Sequence, residues 1–504
     1  MRRTLPLVLA VLLALPLKAS SLQAGHAMLQ KLHQAAGRPL ETAPAFRIAH
    51  TDRSAARYLR RQHVIEVEAK ALEACRTLGA DSLHALAFLL GHELAHAYRE
   101  AGAAPTNFLA YTLEADASVQ EEQAADVGGA FLAYLAGFRT EGILPRLLDG
   151  LYDAYQIDGQ VSGYPPLEVR RQSAREADAL AGQLIRFFES GNYLLAAGQY
   201  EGAAAAYEEV LSFVATRELY HNLSVLYARR AMAVAGKNAD RYLLPIELDA
   251  ELRLRRPRAD DLTPLERRAR RILLGKAAFY NDKTIATDPG YEAAKVMALC
   301  LQILDGQALL LLEKEHTPAL AWIKKSTEGR LALAVAYAAA SDQDIRYQPE
   351  AARRLEALST AADPLLAFIA QKNLALLKGE PATPARPSYC NLPFTIPGKA
   401  SPMRYRHLTQ TPVGEEGNKV LLGWETLEGT ELLALRSANG AFLLQWARSG
   451  KPVGWAVEKL EEALAGQRAV RQLASQGLFL HFPGCKALFL AGPDGRIAGW
   501  GEYE

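Results

Sequence analysis

The stretch Asp81 to Glu100, DSLHALAFLLGHELAHAYRE, carries His92-Glu93-Leu94-Ala95-His96 inside an apolar segment of helical period. Leu83, Leu86, Ala87, Leu90, Leu94 and Ala97 recur three or four apart and Asp81 or Ser82 supplies an N-cap, so the spacing predicts a helix with one face packed inward. Residues four apart on a helix stand one above the other, so His92 and His96 present two imidazoles to one point with Glu93 beside them. Two neutral imidazole nitrogens supply half of a tetrahedral zinc site, and the adjacent carboxylate is placed to take a proton from water at the metal. His84 falls off that line and reads as structural. Because so short a pattern also arises by chance, the surrounding chain has to decide its meaning.

A two-histidine site needs a third protein ligand. The segment Leu113 to Phe138, LEADASVQEEQAADVGGAFLAYLAGF, offers Glu122 and Asp126 four apart, so one carboxylate can bind metal while the other hydrogen-bonds a histidine ring N–H. Glu121 is the local competitor, but only Glu122 has the aspartate one turn on. HExxH followed by ExxxD resembles the glutamate-type zincins, and the ExxAD form looks like the M48 class of zinc metallopeptidases. That resemblance implies Zn2+ held by His92, His96 and Glu122, with Glu93 as catalytic base and Asp126 orienting a ligand histidine.

A third stretch, Gly163 to Leu180, GYPPLEVRRQSAREADAL, resembles the M48 segment in which a His-Pro pair precedes an arginine. Pro165 and Arg170 fall in register, while Tyr164 stands at the histidine position. The family residue there lies near the metal or the developing oxyanion, and a tyrosine hydroxyl can donate to an oxyanion. Tyr164 and Arg170 are therefore candidate catalytic residues, the competing reading being a Pro-rich turn before a charged helix. Glu122 follows His96 by only 26 positions, which leaves little room for a lid and implies a minimal, open zincin. Upstream, Phe46 to Ala49 and His63 to Val67 alternate as short strands, and Val64 to Val67 is the candidate edge strand for an extended substrate.

The whole chain has 504 residues, too many for one core. A net charge of +1 with 22% charged residues gives no polyanion-binding character, so no nucleic-acid partner is expected. The N-terminus places Arg2 and Arg3 before an apolar run from Leu5 to Leu17 and small residues near Ala19 and Ala24. This is the form of a signal peptide over 1–24, an uncleaved anchor being the alternative, and it predicts a periplasmic or secreted product. Of four cysteines, Cys390 and Cys485 could staple the C-terminal region, with Cys75 and Cys300 as buried singles, though three pairings are formally open.

The catalytic candidate spans 25–182. Over 183–382 the chain resembles tetratricopeptide repeats: Gly198, Tyr200, Ala203, Tyr207 and Leu211 occupy the repeat's small, aromatic and alanine positions, and Asp288-Pro289 with Tyr291 looks like a repeat junction. About four helix pairs are expected, interrupted by an irregular insertion over 236–264. An α-solenoid of this kind offers a concave surface for a peptide or a protein partner. The arginine clusters at 253–258 and 267–271 read as solvated faces, with peripheral contact to anionic lipid or an acidic partner as the minority reading. Beyond a Pro-rich linker, 383–504 reads as a small α+β domain of unlegible role, with strands, turns at Asn439-Gly440 and Asp494-Gly495, and one helix over 456–476; His407 and His481 read as structural.

The sequence thus predicts a mainly α protein: a minimal α+β zincin, a helical-repeat solenoid and a small α+β domain. The expected activity is zinc-dependent hydrolysis of peptide bonds in extended, unfolded or misfolded envelope proteins. The alternative is a repeat-based chaperone or binding protein with a vestigial or regulatory zinc site. A scaffold with an accidental HExxH would need both carboxylates and the Pro-Arg register to be coincidences.

Overall fold

The computed structural model describes most of the chain; residues 1–19, 101–116, 157–166, 235–239, 247–261 and 381–408, with shorter stretches between elements, lie outside the described part. The chain divides into two compact units, Met1–Arg186 with Ser212–Ala215, and Phe187–Leu211 with Thr216–Glu504. The protein is mainly helical, with a sheet near the C-terminus. Of the proposed signal segment over 1–24, residues 1–19 lie outside the described part, and 20–24 begin the helix Ser20–Ala35. No described helix is long and apolar enough to cross a membrane.

The first unit is organised around one helix. Helix α3 (Ser82–Glu100) packs against α1 (Ser20–Ala35), α2 (Ala69–Thr77), α4 (Ala117–Leu135), α5 (Ile143–Tyr155) and a small sheet. Ala85, Ala87, Phe88, Leu90, Leu94 and Ala97 are all buried, so the helix is enclosed on more sides than the single apolar face expected from spacing. The sheet has strands β1 (Ala45–Ala49), β2 (Ala56–Leu59) and β3 (Val64–Glu68) in the order β1-β3-β2. Val64 to Val67 is therefore the central strand, parallel to β1 and antiparallel to β2, and the expectation that it forms an edge is corrected. Its neighbour β2 escaped sequence reading because every residue of Ala-Arg-Tyr-Leu is half-buried, leaving no alternation to detect. Across this sheet Arg47 and Arg57 both donate to Glu66, at 2.7 and 2.9 Å from Nε.

The second unit continues from α6 (Leu167–Ala196) through helices α7 (Tyr200–Phe213), α8 (Arg217–Val234), α9 (Pro264–Thr287), α10 (Glu292–Leu304), α11 (Ala308–Glu313), α12 (Thr327–Ser341), α13 (Gln348–Leu358) and α14 (Pro364–Leu377). Successive helices pack as neighbours, α8 on α9, α9 on α10, α12 on α13 and α13 on α14. Part of the insertion is built into this array. Asn373, fully buried on α14, accepts from the Leu243 N–H at 2.7 Å and donates to the Leu243 carbonyl at 2.8 Å, pairing with that peptide group as another strand would.

The C-terminal sheet has eight antiparallel strands: β4 (Thr409–Val413), β5 (Val420–Leu427), β6 (Thr430–Ser437), β7 (Phe442–Ser449), β8 (Val470–Ala474), β9 (Gly477–Phe482), β10 (Ala487–Ala491) and β11 (Ile497–Tyr503). Their order is β4-β5-β6-β7-β11-β10-β9-β8, so the last strand lies in the middle. Leu480, Phe482, Phe489, Ile497 and Trp500 form a core with Val457 and Leu460 of helix α15 (Val457–Ala463) and with Leu464 just beyond its end. The helix expected over 456–476 is corrected: it ends at Ala463, and Val470–Ala474 pairs with β9 instead, the ladder overriding a local helical period. Gly495, at φ 72°, closes the expected turn before β11 with its N–H on the Gly492 carbonyl. Cys75 and Cys300 are buried thiols outside any disulfide, whereas Cys485 is disulfide-bonded; Cys390 and His407 lie outside the described residues.

Candidate metal centre

The site forms where α3 crosses α4. Two glycines let the helices touch backbone to backbone: a Cβ on Gly91 would stand 2.6 Å from the Gly129 carbonyl oxygen, and one on Gly129 would stand 2.5 Å from the His92 nitrogen. Any larger residue would part the helices. The crossing sets Glu122 and Asp126, one to two turns before Gly129, against the histidine pair. Neither glycine was singled out from the sequence, although Gly91 immediately precedes the motif and Gly128-Gly129 follows the carboxylates on an otherwise good helix, where glycine is costly without a packing reason.

His92 Nε2 and His96 Nε2 are 3.1 Å apart, and the Glu122 carboxylate lies 3.5 Å from the first and 3.4 Å from the second. Bonds of about 2.0 to 2.2 Å to a tetrahedral ion imply ligand atoms about 3.3 to 3.6 Å apart. The three donor atoms therefore already stand near the corners of one face of such a tetrahedron. These three residues can hold a metal ion, and they are the one such group among the described residues. Zinc, nickel, cobalt and copper all accept two imidazoles and a carboxylate, so the geometry leaves the ion's identity open.

Behind the ligands runs a buried polar chain. His92 Nδ1 lies 2.8 Å from Asp126 Oδ1, so a proton held there directs Nε2 toward Glu122 and His96, the nitrogen that would face a metal. Asp126 Oδ2 faces Arg170 Nη1 at 3.6 Å, and neither atom has a closer hydrogen-bond partner. Asp126 is 1% exposed, whereas the Glu122 side chain is 43% exposed, so the site is closed behind His92 and open on the Glu122 side. Burial alone would keep His92 neutral, but the Asp126 and Glu122 carboxylates on its two nitrogens outweigh it and push its pKa up to about 10. Burial also works against charge on Glu122, yet the two imidazoles hold its carboxyl well below the usual range. The carboxylates thus favour positive charge at the His92–His96–Glu122 cluster, which could hold a cation.

Glu93 is buried beside the histidines, and burial holds its carboxyl pKa above the ordinary value although a backbone N–H from Tyr58 on β2 hydrogen-bonds it. The Glu121 alternative resolves by direction: its carboxylate pairs with Arg99 Nη2 at 3.1 Å, away from the histidine nitrogens that Glu122 faces. Arg99 was not anticipated from sequence; it also lies 3.5 Å from His96 Nδ1. His84 accepts from the Arg139 backbone N–H at 3.3 Å, in keeping with a structural role. Arg170 is brought to the site, but behind Asp126 rather than at the open side. Tyr164 and Pro165 lie outside the described residues. The sequence matches no protein-family model and no curated protein.

Proposed function

We propose that the protein is an exported zinc-dependent endopeptidase of the kind the M48 resemblance implies, acting on extended or unfolded polypeptide. One observation carries this reading: His92, His96 and Glu122 place ligand atoms within 4.8 Å of one another with the Glu93 carboxylate adjacent. Two imidazoles and one carboxylate fit catalytic zinc, for which three protein ligands leave a fourth position open. Zinc bound there would supply a Lewis acid that polarises a peptide carbonyl and acidifies water.

The chain's own residues supply the rest. Glu93 is the base that accepts a proton from water and returns it to the leaving amine, its raised pKa suiting it to hold that proton between the two steps. Asp126 fixes the His92 tautomer, and Arg170 acts through Asp126 as a positioning residue. Tyr164 is the candidate oxyanion donor by resemblance alone. Strand β2 has β3 on one side and borders the site through Tyr58, so its other edge, rather than Val64–Val67, is the place for an extended substrate to add as a strand. The helices from α6 to α14 are the surface on which the repeat resemblance places a peptide or protein partner. Misfolded envelope proteins are the substrate class consistent with export.

Metal analysis of the purified chain, paired with proteolysis of a reduced, unfolded protein by wild type and Glu93→Gln, tests the proposal. One equivalent of zinc in both proteins, with cleavage only in wild type, is expected. Absence of stoichiometric metal overturns it. Bound zinc with no cleavage by wild type replaces it with the repeat-based binding reading.

A further inference from the structure

Helix α9 presents an apolar and cationic ridge that the proposed peptidase chemistry does not use. Leu265, Ile272 and Phe279 are 75%, 53% and 54% exposed. Steps of seven residues keep them within an arc of about 40° and spread them over about 21 Å of helix. The buried residues Leu274, Ala277, Asn281 and Thr284 lie on the far side, about 120° to 180° away. The ridge therefore points directly away from the packing that holds the helix. Three exposed large apolar side chains in line on a helix of ordinary stability are a surface waiting for an apolar phase.

Cations predominate around the ridge, the exposed Asp282 lying about 60° outside its arc. Residues 264–287 carry six Lys or Arg against two acids, a net of +4. Lys283 falls on the edge of the same arc, Arg268 about 20° outside it and Arg271 about 80° outside it on the same flank, and none of the three pairs with a carboxylate among the described residues. Lys283 Nζ lies over the Phe279 ring at 5.5 Å, and Lys276 leans over Tyr227 at 4.8 Å. Glu266 is occupied in the Thr263 capping box, and Arg270 turns inward to Asp240. The cations left outward are interleaved with the apolar side chains.

We propose that the outer face of α9 docks peripherally on an anionic lipid bilayer, with Leu265, Ile272 and Phe279 entering the headgroup boundary and Arg268, Arg271 and Lys283 contacting lipid phosphates. The shape selects this occupant over an acidic peptide. A peptide needs a groove, but a Cβ built on Gly275, on the flank of the ridge, meets nothing within 4 Å. A ridge without walls suits a continuous, deformable surface, and each basic residue near an anionic one adds to the attraction.

The test uses the full chain with Phe279→Cys carrying an environment-sensitive fluorophore, mixed with phosphatidylcholine vesicles with or without phosphatidylglycerol. Cys75 and Cys300 are buried and Cys485 is disulfide-bonded, so the introduced thiol takes the label, with the unsubstituted chain as control. Every sample carries the same N-terminal apolar segment, and the label reports the ridge alone. A blue shift is expected with the anionic vesicles only, declining with salt. Adding Arg268→Glu, Arg271→Glu and Lys283→Glu, all at outward positions, should weaken partitioning by on the order of tenfold or more. A label that stays in water, an equal shift on neutral vesicles, or a shift that survives the charge reversals overturns the proposal. So does a shift produced without vesicles by a second, unlabelled copy or by an acidic amphipathic peptide.

Discussion

Gly91 and Gly129 meet across the α3–α4 crossing with no room for a methyl group on either: the Cβ of an alanine at Gly129 would fall 2.5 Å from the His92 nitrogen and 2.8 Å from its Cα. Both obstructing atoms are backbone, so neither can swing aside. Gly129→Ala must therefore push the helices apart, and with them the Glu122 carboxylate from the histidine pair. A loss of about 1 to 3 kcal/mol in stability is expected, accompanied by at least a tenfold loss in metal affinity. Denaturant unfolding and a metal-competition titration on the same sample read the two effects. Retained affinity in a folded Gly129→Ala protein would show that the crossing does not set the site.

Glu121 and Glu122 are adjacent, yet they face different partners. Glu122→Gln removes a charged donor that stands 3.4 Å from His96 Nε2 and should abolish stoichiometric metal retention through gel filtration. Glu121→Gln breaks only the ion pair with Arg99, whose groups are 40% and 53% exposed, and should leave metal content unchanged. The reverse pattern would exchange the two assignments.

Legibility in the sequence followed the range of the interaction. The α3 start near Ser82, the His92–His96 pair and the Glu122–Asp126 spacing are local to single helices and stand in the sequence, whereas joining the two pairs into one ligand set came from the M48 resemblance. What failed depends on partners distant in sequence. The place of β3 between two neighbours is invisible in its own five residues, and the strand Val470–Ala474 is settled by pairing to β9. Asn373 reads as an ordinary polar residue on a helix until Leu243, 130 positions away, is brought to it. Gly91 and Gly129 carried a signal in their cost to helices, but without the crossing there was no way to tell close approach from simple tolerance.

Two histidines in the second unit make its stability fall in acid. Burial and the nearby Arg217 hold His221 at a pKa of about 4, and burial with Arg229 holds His481 at about 3. The unfolded chain takes up these protons near the ordinary value of about 6.5. Their contribution is therefore complete above about pH 6.5 and is lost progressively as pH falls toward 4 for His221 and 3 for His481. His221→Phe preserves the edge-on ring contact with Tyr291 while removing the titration. Its unfolding free energy should fall less steeply between pH 6.5 and 4, by on the order of 2 kcal/mol over the interval. Parallel stability curves for the two proteins would place the acid sensitivity elsewhere.

Replacing Asn373 tests how the insertion is held. Leucine fills a similar volume but leaves the Leu243 N–H and carbonyl buried without partners, at a cost of about 1 to 3 kcal/mol for each group. Asn373→Asp keeps the acceptor and loses the donor, so it should fall between wild type and Asn373→Leu. Amide exchange at Leu243 should accelerate in the leucine variant in step with that loss; unchanged protection there would mean that Tyr242 and Leu244 hold the segment by burial alone.

The pairing of Asp126 with both His92 and Arg170 makes the polar chain behind the site a coupled unit. Asp126→Asn can still accept from His92 Nδ1–H, but it no longer stabilises a positive charge on that side and leaves the buried Arg170 guanidinium facing a neutral amide. Metal affinity should drop about 10- to 100-fold. Arg170→Met on its own leaves Asp126 with His92 as its sole charge partner, so the aspartate should draw that proton more strongly and metal affinity should fall less. Combining the two removes an unpaired charge that either single variant strands, and the double variant should therefore be more stable than the sum of the singles by about 0.5 to 3 kcal/mol. A double-mutant cycle by denaturant unfolding of the metal-free protein measures that coupling. A value of zero would show that the 3.6 Å approach of Arg170 to Asp126 is proximity without interaction.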